Sequence, residues 1–214
     1  MAVEFITQLG EGLVGLWKIT ETTEELFLRL NPAGIELEHY LQFKNEGRKK
    51  EWLAVRLLLQ AMKGEKAGIV YTQNGNPELV NSTGNISISH SSGFVTIFYH
   101  PVLQPGIDIE LITRNVEKAA GKFLSAKELE DCTFNDQRSN KDLMLRWCAK
   151  EAVFKMVPFS DIDFATQILC NAQPLKTSEG MLTATFSNKA DEYLIPLHFR
   201  LIGDLLMVFG SFKL

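Results

Sequence analysis

Two periodicities alternate along the chain. Residues 3–20 hold two short apolar runs, VEFITQL and LVGLWKIT, parted by Gly10 and Gly12, and read as a strand pair. Thr22 with Glu25 three positions on makes a capping box for a helix through about Arg29. Residues 35–46 are amphipathic, with Ile35, Leu37, Tyr40, Leu41 and Phe43 as apolar points. A third helix over about 47–63 sets Trp52, Val55, Leu58, Leu59 and Met62 on one face. The period then falls to two. IVY at 69–71 reads as a strand, Asn74-Gly75-Asn76-Pro77 as a turn, ISIS at 86–89 and FVTIFY at 94–99 as strands.

Pro101 and Pro105 bracket a connector, after which GIDIEL at 106–111 is a strand. Ile107, Ile109 and Leu111 take one of its faces, Asp108 and Glu110 the other. Helices are expected at about 114–121, 125–132 and 139–157, and strands near 165–170, 181–186, 193–201 and 205–212. Gly203-Asp204 reads as the last hairpin turn. The order strands, helices, strands thus occurs twice. Laying the first half over the second so that Trp52 falls on Trp147 also puts Ala54 on Ala149 and Arg56 on Glu151. The expected fold is mixed α+β: two similar lobes, 1–103 and 104–214, related by pseudo-twofold symmetry, each an antiparallel sheet packed against helices.

Composition narrows the class. At 214 residues, with 45% hydrophobic and 22% charged positions, the chain can bury a core without disulfides. A net charge of −4 without a basic tract argues against nonspecific nucleic-acid binding. Three widely spaced cysteines, Cys132, Cys148 and Cys170, with no CxxC pair, fit reduced thiols in a cytoplasm. No signal peptide and no apolar run of the ~20 residues a membrane helix needs are evident, so a soluble intracellular protein is expected.

Three clusters carry candidate chemistry. Asp108 and Glu110, at i and i+2 on a strand, send two carboxylates to one side, where a cation or solvent must separate them. A solvated strand face explains the same pair. In WCAKEAVFK at 147–155, Glu151 and Lys155 lie one helical turn apart, while Lys150 projects about 100° away. A routine helical ion pair explains these too. In ISISHSS at 86–92, Ser87, Ser89 and Ser91 share a strand face opposite His90, and such groups can bond phosphate oxygens or simply line a polar turn.

Together, G-I-D-I-E at 106–110, W-C-A-K-E-A-V-F-K at 147–155, S-I-S-H-S at 87–91 and F-L-S at 123–125 resemble, in order and spacing, the signature of the 4′-phosphopantetheinyl transferases. The resemblance spans about residues 48–164. The chain looks like the larger, two-lobed surfactin-type class, which usually acts as a monomeric pseudodimer. The resemblance implies a transferase of phosphorus-containing groups. It would move the 4′-phosphopantetheine arm of coenzyme A to a serine of an apo acyl or peptidyl carrier protein and release 3′,5′-ADP. Asp108, Glu110 and Glu151 would be ligands for Mg²⁺, or Mn²⁺, that neutralises the diphosphate. Lys155 would contact the phosphates and stabilise charge at the transferred phosphorus. His90, and with it Ser89, would bind coenzyme A. Glu151 is the first candidate to take the serine proton.

Other positions match less fully. Asn74-Gly75-Asn76-Pro77 stands where many relatives have G-K-P around the adenine and 3′-phosphate, so Gly75, Asn76 and Pro77 are candidate contacts, with Asn76 replacing a lysine. Arg48 and Arg56 fall where the family places basic residues near the 3′-phosphate; a solvated helix face is the competing reading. Met156-Val157-Pro158 replaces a glycine common after the motif lysine, and Pro158 should end the helix. Two rival functions use the same residues: a Mg²⁺-dependent phosphohydrolase or nucleotidyl transferase, and a degenerate module that binds without transferring.

Overall fold

The computed structural model describes residues 3–64, 67–133, 140–159 and 161–213. The chain divides into two compact units, Met1–Leu103 and Gln104–Leu214. Both are mixed α+β, with antiparallel sheets packed against helices.

The first unit contains β1 (Val3–Leu9), β2 (Gly12–Lys18), α1 (Thr23–Leu30), α2 (Ile35–Leu41), α3 (Glu46–Lys63), β3 (Gly68–Tyr71), β4 (Pro77–Val80), β5 (Asn85–Ser91) and β6 (Phe94–His100). Its sheet runs β1-β2-β6-β5, and β3-β4 forms a hairpin beside β5. The capping box of α1 is present in full: Thr22 Oγ1 accepts from Glu25 N while Glu25 returns to the Thr22 backbone. Asn45 caps α3 by accepting from Arg48 N at 3.1 Å, and Gly64 ends it at φ 70°. Helix α3 buries Leu53, Leu58 and Leu59 with Trp17, Val95 and Ile97 of the sheet. Helix α2 stops at Leu41, short of the expected 46, because Asn45 begins the next helix.

The second unit contains β7 (Gln104–Leu111), a 3-10 turn (Glu117–Ala119), α4 (Ala120–Phe123), α5 (Ala126–Thr133), α6 (Asn140–Met156), α7 (Phe164–Gln167), β8 (Ile168–Asn171), β9 (Glu179–Ser187), β10 (Glu192–Ile202) and β11 (Leu205–Phe212). Its sheet runs β7-β11-β10-β9-β8, every pair antiparallel. Strand β7 is completed by β11, nearly a hundred residues away, with Asp108 opposite Val208 and Glu110 opposite Leu206.

Two expectations for this unit are corrected. Residues 164–167 are a helical turn rather than strand, because Asp163 caps them: its Oδ1 accepts from Ala165 N at 2.9 Å and its carbonyl from Gln167 N at 2.8 Å. The strand begins only at Ile168. The helix expected from 114 starts at 117, since residues 112–116 are held as a turn by Asn140. The first position of the expected 139–157 helix, residue 139, lies outside the described residues.

Candidate active site

In the second unit, α6 lies directly on β7. Gly106 makes this possible: a Cβ there would collide with the carbonyl oxygen of Ala152 and approach Met156 Cγ to 2.6 Å. Gly106, Asp108 and Glu110 share one strand face by parity, so the helix that presses on Gly106 also stands over the two carboxylates. Asp108 is only 6% exposed. The solvated-face reading of D-x-E therefore fails, because both faces of β7 are covered at Asp108 and Ile109.

Helix α6 presents one turn after another to this strand. Lys155 Nζ donates to the carbonyl of Ile107 at 2.9 Å and to Asp108 Oδ1 at 2.8 Å. The motif lysine thus reaches across to β7. Glu151 is mostly buried and pushed up from 4.5 to about 7. Burial is the main cause, the charge of Asp108 adds to it, and Lys155 opposes before the smaller push from Glu110. Asp108, Glu110, Glu151 and Lys155 are therefore electrostatic neighbours. The Cys148 thiol is buried beside them and raised well above its usual value by desolvation, then by the charges of Asp108 and Glu110.

Asp108, Glu110 and Glu151, within electrostatic reach of one another, offer the hard oxygen donors that a divalent cation such as Mg²⁺ prefers. Burial is the larger part of the rise at Glu151, and the charges of Asp108 and Glu110 add a repulsion that such a cation would relieve. Among the described residues, no three His, Cys, Asp or Glu side chains are gathered tightly enough to hold a metal ion as they stand. Lys155 lies on Asp108, and Arg114 pairs with Glu110 through Nη1 and Oε1.

Lys150 does project away from this face, into the core. It is fully buried, bonded to Glu128 Oε2 at 2.8 Å, to the carbonyl of Phe164 at 2.9 Å and to the carbonyl of Ile168. Glu128 also caps α5, accepting from Ser125 N at 2.8 Å, and accepts from Cys170 N at 2.8 Å. The conspicuous K-E pair of the motif thus splits into a structural lysine and a site glutamate.

In the first unit, two of the sequence candidates meet. Arg48 Nη1 lies 2.6 Å from His90 Nε2. A guanidinium has only donors, so Nε2 accepts and the ring proton sits on Nδ1. That Nδ1 faces Glu51 Oε1 at 3.4 Å, while Glu51 Oε2 takes Arg48 at 2.8 Å. Glu51 was missed in the sequence, although its i, i+3 spacing from Arg48 was a visible signal. Ser89 lies on the opposite face of β5 from His90 and is buried with Ser87.

Arg56 has neither a solvated face nor exposed donors. It is 3% exposed, with Nε on Glu36 at 3.1 Å, Nη2 on the carbonyl of Ile69 at 2.9 Å and its guanidinium 3.5 Å above the Trp52 ring. Desolvation lowers its pKa. Arg56 ties α3 to α2 and β3. Gly75 and Asn76 lie in the exposed β3–β4 turn and Pro77 opens β4; the turn is closed by Asn76 N on Thr72 Oγ1 at 3.1 Å and Thr72 N on the Asn76 carbonyl at 2.9 Å. Gly75 is required there by its φ of 81°.

Residues 104–197 match the family model described as the 4′-phosphopantetheinyl transferase superfamily. These residues are a domain of that superfamily. Membership implies transferase activity of the phosphopantetheinyl type. No curated protein matches the chain. The transferase domain holds Asp108, Glu110, Glu151 and Lys155, whereas Arg48 and His90 lie before its first matched residue. No helix among the described residues is long and apolar enough to cross a membrane.

Proposed function

We propose that this chain transfers 4′-phosphopantetheine from coenzyme A to a serine of an apo acyl or peptidyl carrier protein, with release of 3′,5′-ADP. The observation that carries the reading is the placement of Lys155 on Asp108 with Glu151 against the same strand. This brings together the chemistry of G-I-D-I-E and W-C-A-K-E-A-V-F-K inside the superfamily domain.

Asp108, Glu110 and Glu151 would hold Mg²⁺ or Mn²⁺. The ion, when bound, supplies charge neutralisation at the diphosphate of coenzyme A. Lys155, anchored on the Ile107 carbonyl, is placed to move from Asp108 onto a phosphate oxygen as charge builds on the leaving group. The carrier serine Oγ attacks the β-phosphorus, the bond to the 3′,5′-ADP oxygen breaks, and the serine proton leaves. Glu151, lifted toward neutrality by burial and by Asp108, is suited to accept that proton. Arg48 and His90 form an exposed pair that would face an anionic part of coenzyme A.

The wider architecture supports a duplicated molecule. In the second unit the sheet begins with β7, which pairs with the last strand β11. In the first, β2 pairs with the last strand β6 in the same sense, and a glycine again lies under the long helix: a Cβ on Gly15 would come within 2.7 Å of Met62 Sδ. We read this as two copies of one lobe, 1–103 and 104–214, in a pseudo-twofold arrangement that works as a monomer in the cytoplasm.

The test is 3′,5′-ADP release from coenzyme A and Mg²⁺, with and without an apo-carrier. Transfer requires release only when the carrier is present. Carrier-independent release would instead identify a phosphohydrolase, and coenzyme A binding without release under any condition a binding module.

A further inference from the structure

The turn that follows β7 is held more firmly than an ordinary surface loop. Asn140, the first residue of α6, donates through Nδ2 to the carbonyls of Ile112 and Arg114 at 2.6 and 2.7 Å, and its Oδ1 accepts from Val116 N at 3.2 Å. Ile112 N bonds the carbonyl of Asp204 at 2.9 Å, and Arg114 N that of Leu111 at 3.0 Å. This clamp fixes the backbone of Arg114. Its side chain, 55% exposed, returns to Glu110 and pairs with Oε1 through Nη1.

We propose that Arg114 is a built-in counter-ion of the carboxylate site, set in place by Asn140, which competes with the divalent cation for Glu110 and so lowers the site's affinity for metal. The proposal rests on the metal-site reading above. A carboxylate oxygen bonded to a guanidinium has to leave it, or share its charge, before it can serve a hard cation. A fixed positive charge a few ångströms from an incoming divalent ion repels it. Lys155 does the same for Asp108, but it also carries a proposed phosphate role. Arg114 lies outside the proposed catalytic set and tests the counter-ion effect on its own. The device balances buried acidic groups when no cation is present and leaves metal loading to be completed by a phosphate-bearing ligand.

The experiment is Mn²⁺ binding by the full chain without coenzyme A, read from the electron paramagnetic resonance signal of unbound Mn²⁺. Arg114→Gln should bind Mn²⁺ more tightly than wild type, on the order of tenfold at low ionic strength, with the difference shrinking as salt rises. Arg114→Lys, which keeps the charge, should stay near wild type. Asn140→Ala should shift affinity in the same direction as Arg114→Gln and by less. If Asp108→Ala abolishes binding and Arg114→Gln binds as wild type does, the counter-ion role is wrong and the metal site stands. If Asp108→Ala binds as well as wild type, the metal site itself is misplaced and the counter-ion role falls with it.

Discussion

Asp108 concentrates the chemistry of the site, because it is buried, faces α6 and holds Lys155 at 2.8 Å. Replacing it with alanine removes one proposed metal ligand and the partner of Lys155. Transfer should fall by about 100-fold or more, since metal stabilisation is worth several kcal/mol. The circular dichroism of the variant should match wild type; near-normal turnover would show that Asp108 is no ligand. Glu151 yields a pH prediction. Its folded value of about 7 exceeds the ordinary 4.5, so in the metal-free protein the folded state holds the proton more tightly than the unfolded state. Its stabilising contribution is complete below 4.5 and is lost as pH rises through about 7. Denaturant melts in EDTA should show wild type losing up to roughly 3 kcal/mol relative to Glu151→Gln across that range. Parallel curves for the two proteins would contradict the burial-driven shift.

Helix α6 and strand β7 are matched to each other, and the match is exacting at Gly106. Gly106 admits the helix backbone, so Gly106→Ala should push α6 off β7 and cost about 1–3 kcal/mol or more by overpacking. The same variant should lose transfer, since Glu151 and Lys155 ride on the displaced helix. Unchanged stability in urea would show that the close approach is relaxed in solution. On the far side of α6, Lys150 and Glu128 form a buried pair that binds the helix to α5, α7 and β8. Glu128→Ala leaves a buried ammonium uncompensated and should cost about 3–5 kcal/mol, whereas a Glu128→Leu, Lys150→Met double variant should cost less. A double variant as unstable as the single one would contradict the pair's role.

Across the whole molecule, the strands and helices were legible where local chemistry decides them. The Thr22–Glu25 capping box, the alternation in ISIS and GIDIEL and the long apolar face of α3 each specify their own element. Partnerships between distant segments were not legible. Nothing in the spacing of Asp108 and Lys155, 47 residues apart, tells that they touch, nor that Arg56 is buried on Trp52 rather than solvated. Residues 165–167 of the turn that opens at Phe164 fall inside the strand expected near 165–170, because the cap, Asp163, sits before an apolar stretch with no helical period. The site carboxylates were individually unremarkable by spacing and acquired weight only from their joint resemblance to a family, which the match over 104–197 supports. The three cysteines carry unbridged, buried thiols, so a thiol reagent should find none reactive in the native protein and three after denaturation. The central claim is tested most directly by the intact mass of apo acyl and peptidyl carrier proteins after incubation with this chain, coenzyme A and Mg²⁺. The account predicts the gain of one phosphopantetheine on the carrier serine, lost with Asp108→Ala; a competent panel of carriers left unmodified would contradict it.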